Sequence, residues 1–323
     1  MAEKSSGKLF NCVHSFFSSA ESKKLLILSP HLHANFFRFF ITGFHFFSPR
    51  LLSLKQKIME FELENPLTSF SQHQCDTIPS LFANETDHMP SSLAFKPGSF
   101  RAALRGEAFS LVLQAQFASN FDPYISYLAV NYMDRFVSKQ EMPQQVKPWF
   151  LRLLVISCLS LAGKMKNVNL PLSDLQSDER FIYDTQSMHR METLILTSLD
   201  WQMRSITPFS FLYYFISFLE QDYPSVFEAL KDKASEILFK SQCDLQLLEF
   251  KPSIVAASAL LSASEELIPL QFPCFRAQIS SCKYVNKGSL LNCLGVIKEM
   301  AVDWFEPMSD AVSSGTKTPT SIL

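Results

Sequence analysis

The sequence predicts an all-α protein made of two consecutive helical units of roughly 100 residues each, a common domain size. Three observations carry this. Glycine is scarce, 8 in 323 residues, where roughly 7% is usual. Several prolines stand where they fit the first turn of a helix, since their missing N–H costs nothing there. No segment shows sustained period-two alternation of apolar and polar residues.

Taken in order, the prolines and caps mark the helices. Asp122-Pro123 pairs an N-cap with a proline at the first helical position, and Thr207-Pro208 does the same. Lys147-Pro148 and Lys251-Pro252 fit without an ideal cap. Helices are therefore expected near 99–119, 123–138, 148–165 and 181–200, then near 208–220, 225–248, 252–267 and 289–304. Short helices fit near 171–177 and 270–276. Before these, residues 60–97 carry Pro66, Pro79, Pro90 and Pro97 and read as a mostly irregular arm, with a short helix near Ser80–Asn84. The tail from Pro307 is rich in Ser and Thr and reads as disordered. It contains Thr318-Pro319, a minimal proline-directed phosphorylation site.

The first 58 residues differ from the rest. They hold ten of the 31 phenylalanines and four of the seven histidines, with eight Lys or Arg against Glu3 and Glu21. Taking that +6 from the total of −2 leaves −8 for the remaining chain. The apolar run from Phe36 to Phe47 is broken by Arg38 and His45 and is too short to span a bilayer. A secretory signal would place its apolar region earlier, without Glu21 ahead of it. Two readings fit. A non-native upstream extension is favoured, because Met59 begins a chain of different composition; an organelle transit peptide is the alternative.

Composition excludes several function classes. A net charge of −2 gives no support to general nucleic-acid binding, which shows a basic excess. No GxGxxG, GxxxxGK[ST], GxSxG or HExxH occurs. Seven cysteines without a CxxC fit reduced thiols in a cytosolic or nuclear protein better than a disulfide framework or a zinc site. The sequon at Asn84 is then idle. Cys158 sits in the most apolar helix and reads as an inert core thiol. His189 stands alone among polar helix residues, and His31 and His33 lack further ligands nearby.

Trp149–Met165 is apolar nearly all round, with only Arg152, Ser157 and Ser160 polar before its end. Such a helix is the centre of a bundle, and it falls short of a membrane span. Lys164 stands at its C-terminal end, where the helix dipole favours a cation, with Leu161 and Met165 beside it. The helix at 181–200 carries an apolar stripe through Met188, Met191, Ile195 and Leu199, with Glu192 and Leu196 on a neighbouring face. From composition alone Lys164 and Glu192 are ordinary solvated charges.

Four segments change that reading. YLAVNYMDRF from Tyr127 to Phe136 resembles the cyclin-box signature. LSLAGKM from Leu159 to Met165 and RMETLILTSLDW from Arg190 to Trp201 resemble the next two cyclin-box segments. TPFSF from Thr207 to Phe211 is similar to the start of the second repeat in D-type cyclins. The likeness covers roughly 95–305, in order and with matching spacing, and within that family it looks plant-like, nearest a divergent subgroup.

The resemblance implies a cyclin fold of two five-helix repeats, at 98–205 and 206–306, with 59–97 as N-terminal arm and 307–323 as tail. It implies a regulatory subunit, not an enzyme, that binds and activates a cyclin-dependent protein kinase at G1/S, in nucleus and cytoplasm. No cofactor or metal is implied, and no nucleic-acid or membrane partner; kinase inhibitors and substrates are further expected partners. Lys164 and Glu192 match the family's kinase-binding pair, and Leu161, Met165, Leu196 and Met203 match positions that touch the kinase's mobile helix. Arg105 and Asp134 match a buried structural ion pair.

Three departures stand out. No cysteine sits in an LxCxE, the motif that docks retinoblastoma-type proteins; Leu291-Asn-Cys293-Leu-Gly295 fails at its last place. The substrate-docking patch, matched by Leu104, Arg105, Ala108 and Leu111, carries Leu111 where tryptophan is usual, which weakens docking of Arg-x-Leu substrates. Acidic residues that often follow the box lysine are replaced by Lys166 and Asn167. The rivals are a cyclin-fold scaffold that binds kinase without activating it, and a transcription-factor-like adaptor, against which the charge of −8 speaks.

Overall fold

The computed structural model describes residues 77–142, 146–171, 183–219 and 224–303, together with Leu63 and Pro66, all within the unit Glu60–Leu323. Ten α-helices and no strand occur among the described residues. They are α1 (Ile78–Asn84), α2 (Phe100–Ser119), α3 (Pro123–Lys139), α4 (Pro148–Met165), α5 (Thr185–Ser198), α6 (Phe209–Ile216), α7 (Pro224–Ser241), α8 (Pro252–Leu267), α9 (Phe272–Ser281) and α10 (Lys287–Asp303). The short helix expected near 171–177, the segment 1–58 and Thr318 lie outside the described residues.

Three of the four expected prolines open a helix; Pro208 does not, standing as the N-cap of α6, which begins at Phe209. Pro123, Pro148 and Pro252 each open a helix. Asp122 caps α3 by accepting from the Tyr124 N–H at 2.9 Å. Ser99 caps α2 by accepting from Ala102 N at 3.2 Å.

Four boundaries are corrected, one of them α9, which runs Phe272–Ser281 where 270–276 was expected. α5 starts at Thr185 rather than 181, because Asp184 caps it by accepting from Ser187 N at 2.6 Å. α6 stops at Ile216 rather than 220, and the chain turns at Ser217. α7 stops at Ser241 rather than 248; a separate 3-10 turn, Gln246–Glu249, follows. The arm is also more ordered than expected, since α1 is followed by 3-10 turns at Glu85–His88 and Ser92–Phe95.

Each repeat is built round one central helix. In the first, α4 lies against α2, α3 and α5, with every residue from Leu153 to Gly163 buried. At 18 residues, the length expected for 148–165, α4 is long and apolar enough to cross a membrane, which corrects the reading that it falls short, but 72% of it is buried inside the protein. That burial marks a bundle core. In the second repeat α8 lies against α6, α7, α9 and α10. The small side chains Ala256, Ala257, Ala259 and Ala263 let its neighbours approach closely, and all four are buried.

The arm touches both repeats: its turn Ser92–Phe95 packs on α2 and α3, and α1 with the turn after it lies on the second repeat. Phe82 of α1 stacks on Tyr284, ring centres 4.2 Å apart, and tilts against Phe211 at 4.8 Å. Glu85, only 1% exposed, accepts from Ser253 N at 2.9 Å and Ser253 Oγ at 3.0 Å. A carboxylate there satisfies an orphan N–H at the start of α8 and meets the positive end of its dipole. Asn84, the sequon residue, donates its side-chain amide to the Ser80 carbonyl at 2.7 Å.

Candidate functional site

The site forms where the end of α4 meets the middle of α5. Glu192 Oε1 accepts from Lys164 Nζ at 2.6 Å and from Ser160 Oγ at 2.6 Å. The pair is unequal: the lysine side chain is 34% exposed and the glutamate 9%. This corrects the reading from composition, in which both were solvated charges. Glu192 is drawn inward because its helix buries Met191, Ile195 and Leu196 on the adjoining faces, and a buried carboxylate needs a cation and a donor.

The apolar residues expected around the pair are mostly core. Leu161, Leu196 and Met203 are buried, whereas Met165 is half-exposed beside Lys164. Leu161 follows the buried stripe of α4 and Leu196 that of α5, while Met203, in the loop after α5, holds the Tyr132 hydroxyl through its carbonyl at 2.8 Å.

The chain beyond Lys164 is tightly turned. Asn167 adopts φ +54°, and Val168 N donates to the Gly163 carbonyl at 2.8 Å, the six-to-one bond of a left-handed helix stop. A Cβ on Gly163 would meet Leu170 Cγ and the Val168 carbonyl oxygen at 3.0 Å each, so this turn needs glycine. Lys166 folds back: its ammonium lies 3.4 Å from Asp122 Oδ2 and 5.3 Å from the Tyr124 ring centre.

Arg105 and Asp134 meet in a bidentate pair, Nε to Oδ1 at 2.9 Å and Nη2 to Oδ2 at 3.0 Å, both buried. Burial pushes the Asp134 carboxyl up, and Arg105 offsets part of that. The same guanidinium donates to the carbonyls of Gln242 at 2.7 Å and Cys243 at 3.0 Å. Sequence reasoning missed this bridge to the second repeat. Gln242 Nε2 adds a bond to the Tyr127 carbonyl at 2.9 Å, and Tyr127 and Phe239 meet Phe209 ring to ring. The docking-patch residues lie on α2: Leu104 and Ala108 are buried, Arg105 is committed to the pair, and Leu111 is half-exposed.

Other candidates carry no chemistry. Burial pushes the Cys158 thiol far up. His189 is exposed on α5. No group of three metal-ligating side chains exists among the described residues.

The sequence matches the family "Cyclin, N-terminal domain" over residues 76–204 and "Cyclin, C-terminal domain" over 206–312. It is 46% identical to "Putative cyclin-D6-1" of Arabidopsis thaliana, over 75% of this chain and 83% of that protein. It is 35% identical to "Cyclin-D6-1" of Oryza sativa subsp. japonica, over 82% of this chain and 81% of that protein. A viral cyclin from herpesvirus saimiri shares the fold, with a TM-score of 0.56 at 17% identity, over 71% of this chain and 98% of that one. The family consists of regulatory subunits, not enzymes in their own right. Two family matches that together span most of the chain, and relatives drawn from plant D-type cyclins, lead to one conclusion: the chain belongs to the cyclin family, as a plant D-type cyclin of the D6-like subgroup.

Proposed function

We propose that this cyclin binds a cyclin-dependent protein kinase and activates it, acting at the G1/S step, in nucleus and cytoplasm. The observation that supports this most is the pairing of a part-exposed Lys164 with a buried Glu192, beside half-exposed Met165. Such a surface offers a donor, an acceptor and an apolar contact on two helices fixed by the core.

The physical route is a population shift. A kinase of this class needs its mobile helix inward so that its own Lys–Glu pair and activation loop are placed for phosphoryl transfer. A cyclin that contacts only the inward form favours it by its differential affinity. Lys164 donates to kinase main-chain carbonyls, Glu192 accepts from kinase donors, and the cyclin adds no catalytic group.

The test is co-purification of the full chain with a panel of plant cyclin-dependent kinases, followed by phosphorylation of histone and of a retinoblastoma-type protein. Lys164→Glu, the obvious variant, would set two carboxylates together at the buried pair and strain the cyclin itself. Lys164→Met keeps the stem and leaves Glu192 its serine donor. Kinase binding by the wild type and its loss in Lys164→Met, with helical content unchanged, is the expected result. Normal binding by Lys164→Met would remove the proposed interface. Binding without phosphorylation would select the non-activating scaffold.

A further inference from the structure

Ser160 is a buried hydroxyl within the fully buried stretch Leu153–Gly163 of α4. A serine inside a helix ordinarily returns its hydroxyl to a carbonyl three or four residues back. Ser110, Ser138, Ser235 and Ser264 all do so here. Ser160 does not; it crosses to α5 and donates to Glu192 Oε1 at 2.6 Å. It stands one turn before Lys164, on the same face, so both donors converge on one oxygen. Glu192 Oε2 has no hydrogen-bond partner among the described residues.

This arrangement has a consequence for docking. Where docking draws the Lys164 ammonium toward a partner's carbonyl oxygens, its 2.6 Å bond to Glu192 is weakened. A buried carboxylate stripped of its cation is strongly disfavoured. A second, immobile donor lowers that cost, because a hydrogen bond to an ionised group is roughly twice as strong as a neutral one. We propose that Ser160 is a positioning residue for kinase docking: its hydroxyl holds Glu192 Oε1 while Lys164 turns to the kinase, and keeps Oε2 open to kinase donors. The inference rests on the kinase-binding reading above.

Two measurements on the full chain test it. The first compares kinase affinity for the wild type, Ser160→Ala, Glu192→Gln and the double variant. The second follows acylation of Lys164 by acetic anhydride in the free cyclin, site by site, by mass spectrometry. Without the hydroxyl, Glu192 depends on Lys164 alone, so the ammonium is held more tightly. Ser160→Ala should therefore weaken kinase binding about tenfold, the order expected for one hydrogen bond to a charged group, and should slow acylation of Lys164. In the Glu192→Gln background there is no charge to hold, and Ser160→Ala should change affinity by less than about twofold. Equal losses in both backgrounds would reveal a packing role and overturn the inference, as would wild-type affinity in Ser160→Ala. Unchanged acylation in a chain that binds kinase overturns it alone. A wild type that binds no kinase overturns the kinase reading, and the docking role with it.

Discussion

Arg105 Nη1 donates to the main-chain carbonyl of Cys243 at 3.0 Å, across 138 residues of sequence. That bond, with its neighbour to Gln242, gives the exit of α7 a first-repeat partner for its orphan carbonyls. One guanidinium thus satisfies Asp134 and joins the two repeats. Arg105→Met removes the cation from a buried carboxylate and the donors from two carbonyls. Breaking a buried pair from one side costs on the order of 3–5 kcal/mol, and urea unfolding should show a loss of that order. Arg105→Lys should rescue little, because an ammonium lacks the fork that serves four acceptors. Replacing both partners, Arg105→Met with Asp134→Leu, should cost less than Arg105→Met alone, since no bare charge remains.

Glu85 gives the protein a pH signature with a definite sign. Burial pushes its carboxyl above the ordinary 4.5, offset in part by the Ser253 bonds and by Lys251, 3.6 Å away. A folded value above the unfolded one means that the folded protein holds this proton more tightly. The stability it contributes is complete below the unfolded value and is lost as pH rises through the folded one. Glu85→Gln keeps an oxygen for Ser253 N and cannot ionise. Its melting temperature should match the wild type near pH 4 and exceed it progressively toward pH 7. A wild type that gains on Glu85→Gln as pH rises would show that Lys251 and Ser253 outweigh burial.

How much of this was legible in the sequence follows the range of the interactions. Helix starts were readable because proline and Asp122 act within one turn of themselves. The end of α7 was not, because its carbonyls are answered by Arg105, a residue of α2. Glu85 looked like an arm residue, because its partner Ser253 is 168 residues away. The resemblance singled out Lys164 and Glu192, but not that they close on each other. Ser160 went unnoticed as a site residue because a serine in an apolar helix carries no local sign of where its hydroxyl goes. A polar residue one turn before the box lysine was the available signal.

The cysteines divide by burial, and thiol reactivity should report it. Cys158 and Cys293 are fully buried, and burial pushes the Cys293 thiol up to about 11. Cys243 and Cys274 are exposed. Iodoacetamide at neutral pH should label Cys274 first in the native protein and Cys243 more slowly, since partial burial pushes its thiol up, and Cys158 and Cys293 only after unfolding, because the thiolate is the reacting form. Peptide mass mapping reads this directly. Native labelling of Cys158 would mean that the α4 core opens.

The docking patch yields a gain-of-function prediction. Leu104, Ala108 and Leu111 follow one stripe of α2 at helical spacing, and the stripe surfaces only at Leu111. Leucine there gives apolar area but neither an aromatic face nor an N–H donor. Leu111→Trp supplies both at a half-exposed position, with Leu104 and Ala108 already fixed beneath it. A cation–π contact between the peptide's arginine and the new indole is worth about 0.5–1 kcal/mol at an exposed site, which is a gain of roughly 2- to 5-fold in affinity. Fluorescence polarisation with an Arg-x-Leu peptide should show that gain, and the same peptide with its arginine replaced by alanine should not. Because Asp134 is buried and already taken by Arg105, the peptide's arginine must find its acceptor in another carboxylate. The exposed carboxylate of Glu107 is the nearest in sequence. Glu107→Gln in the Leu111→Trp background should therefore weaken the peptide and steepen nothing else, whereas an unchanged affinity would place the arginine's acceptor off this helix.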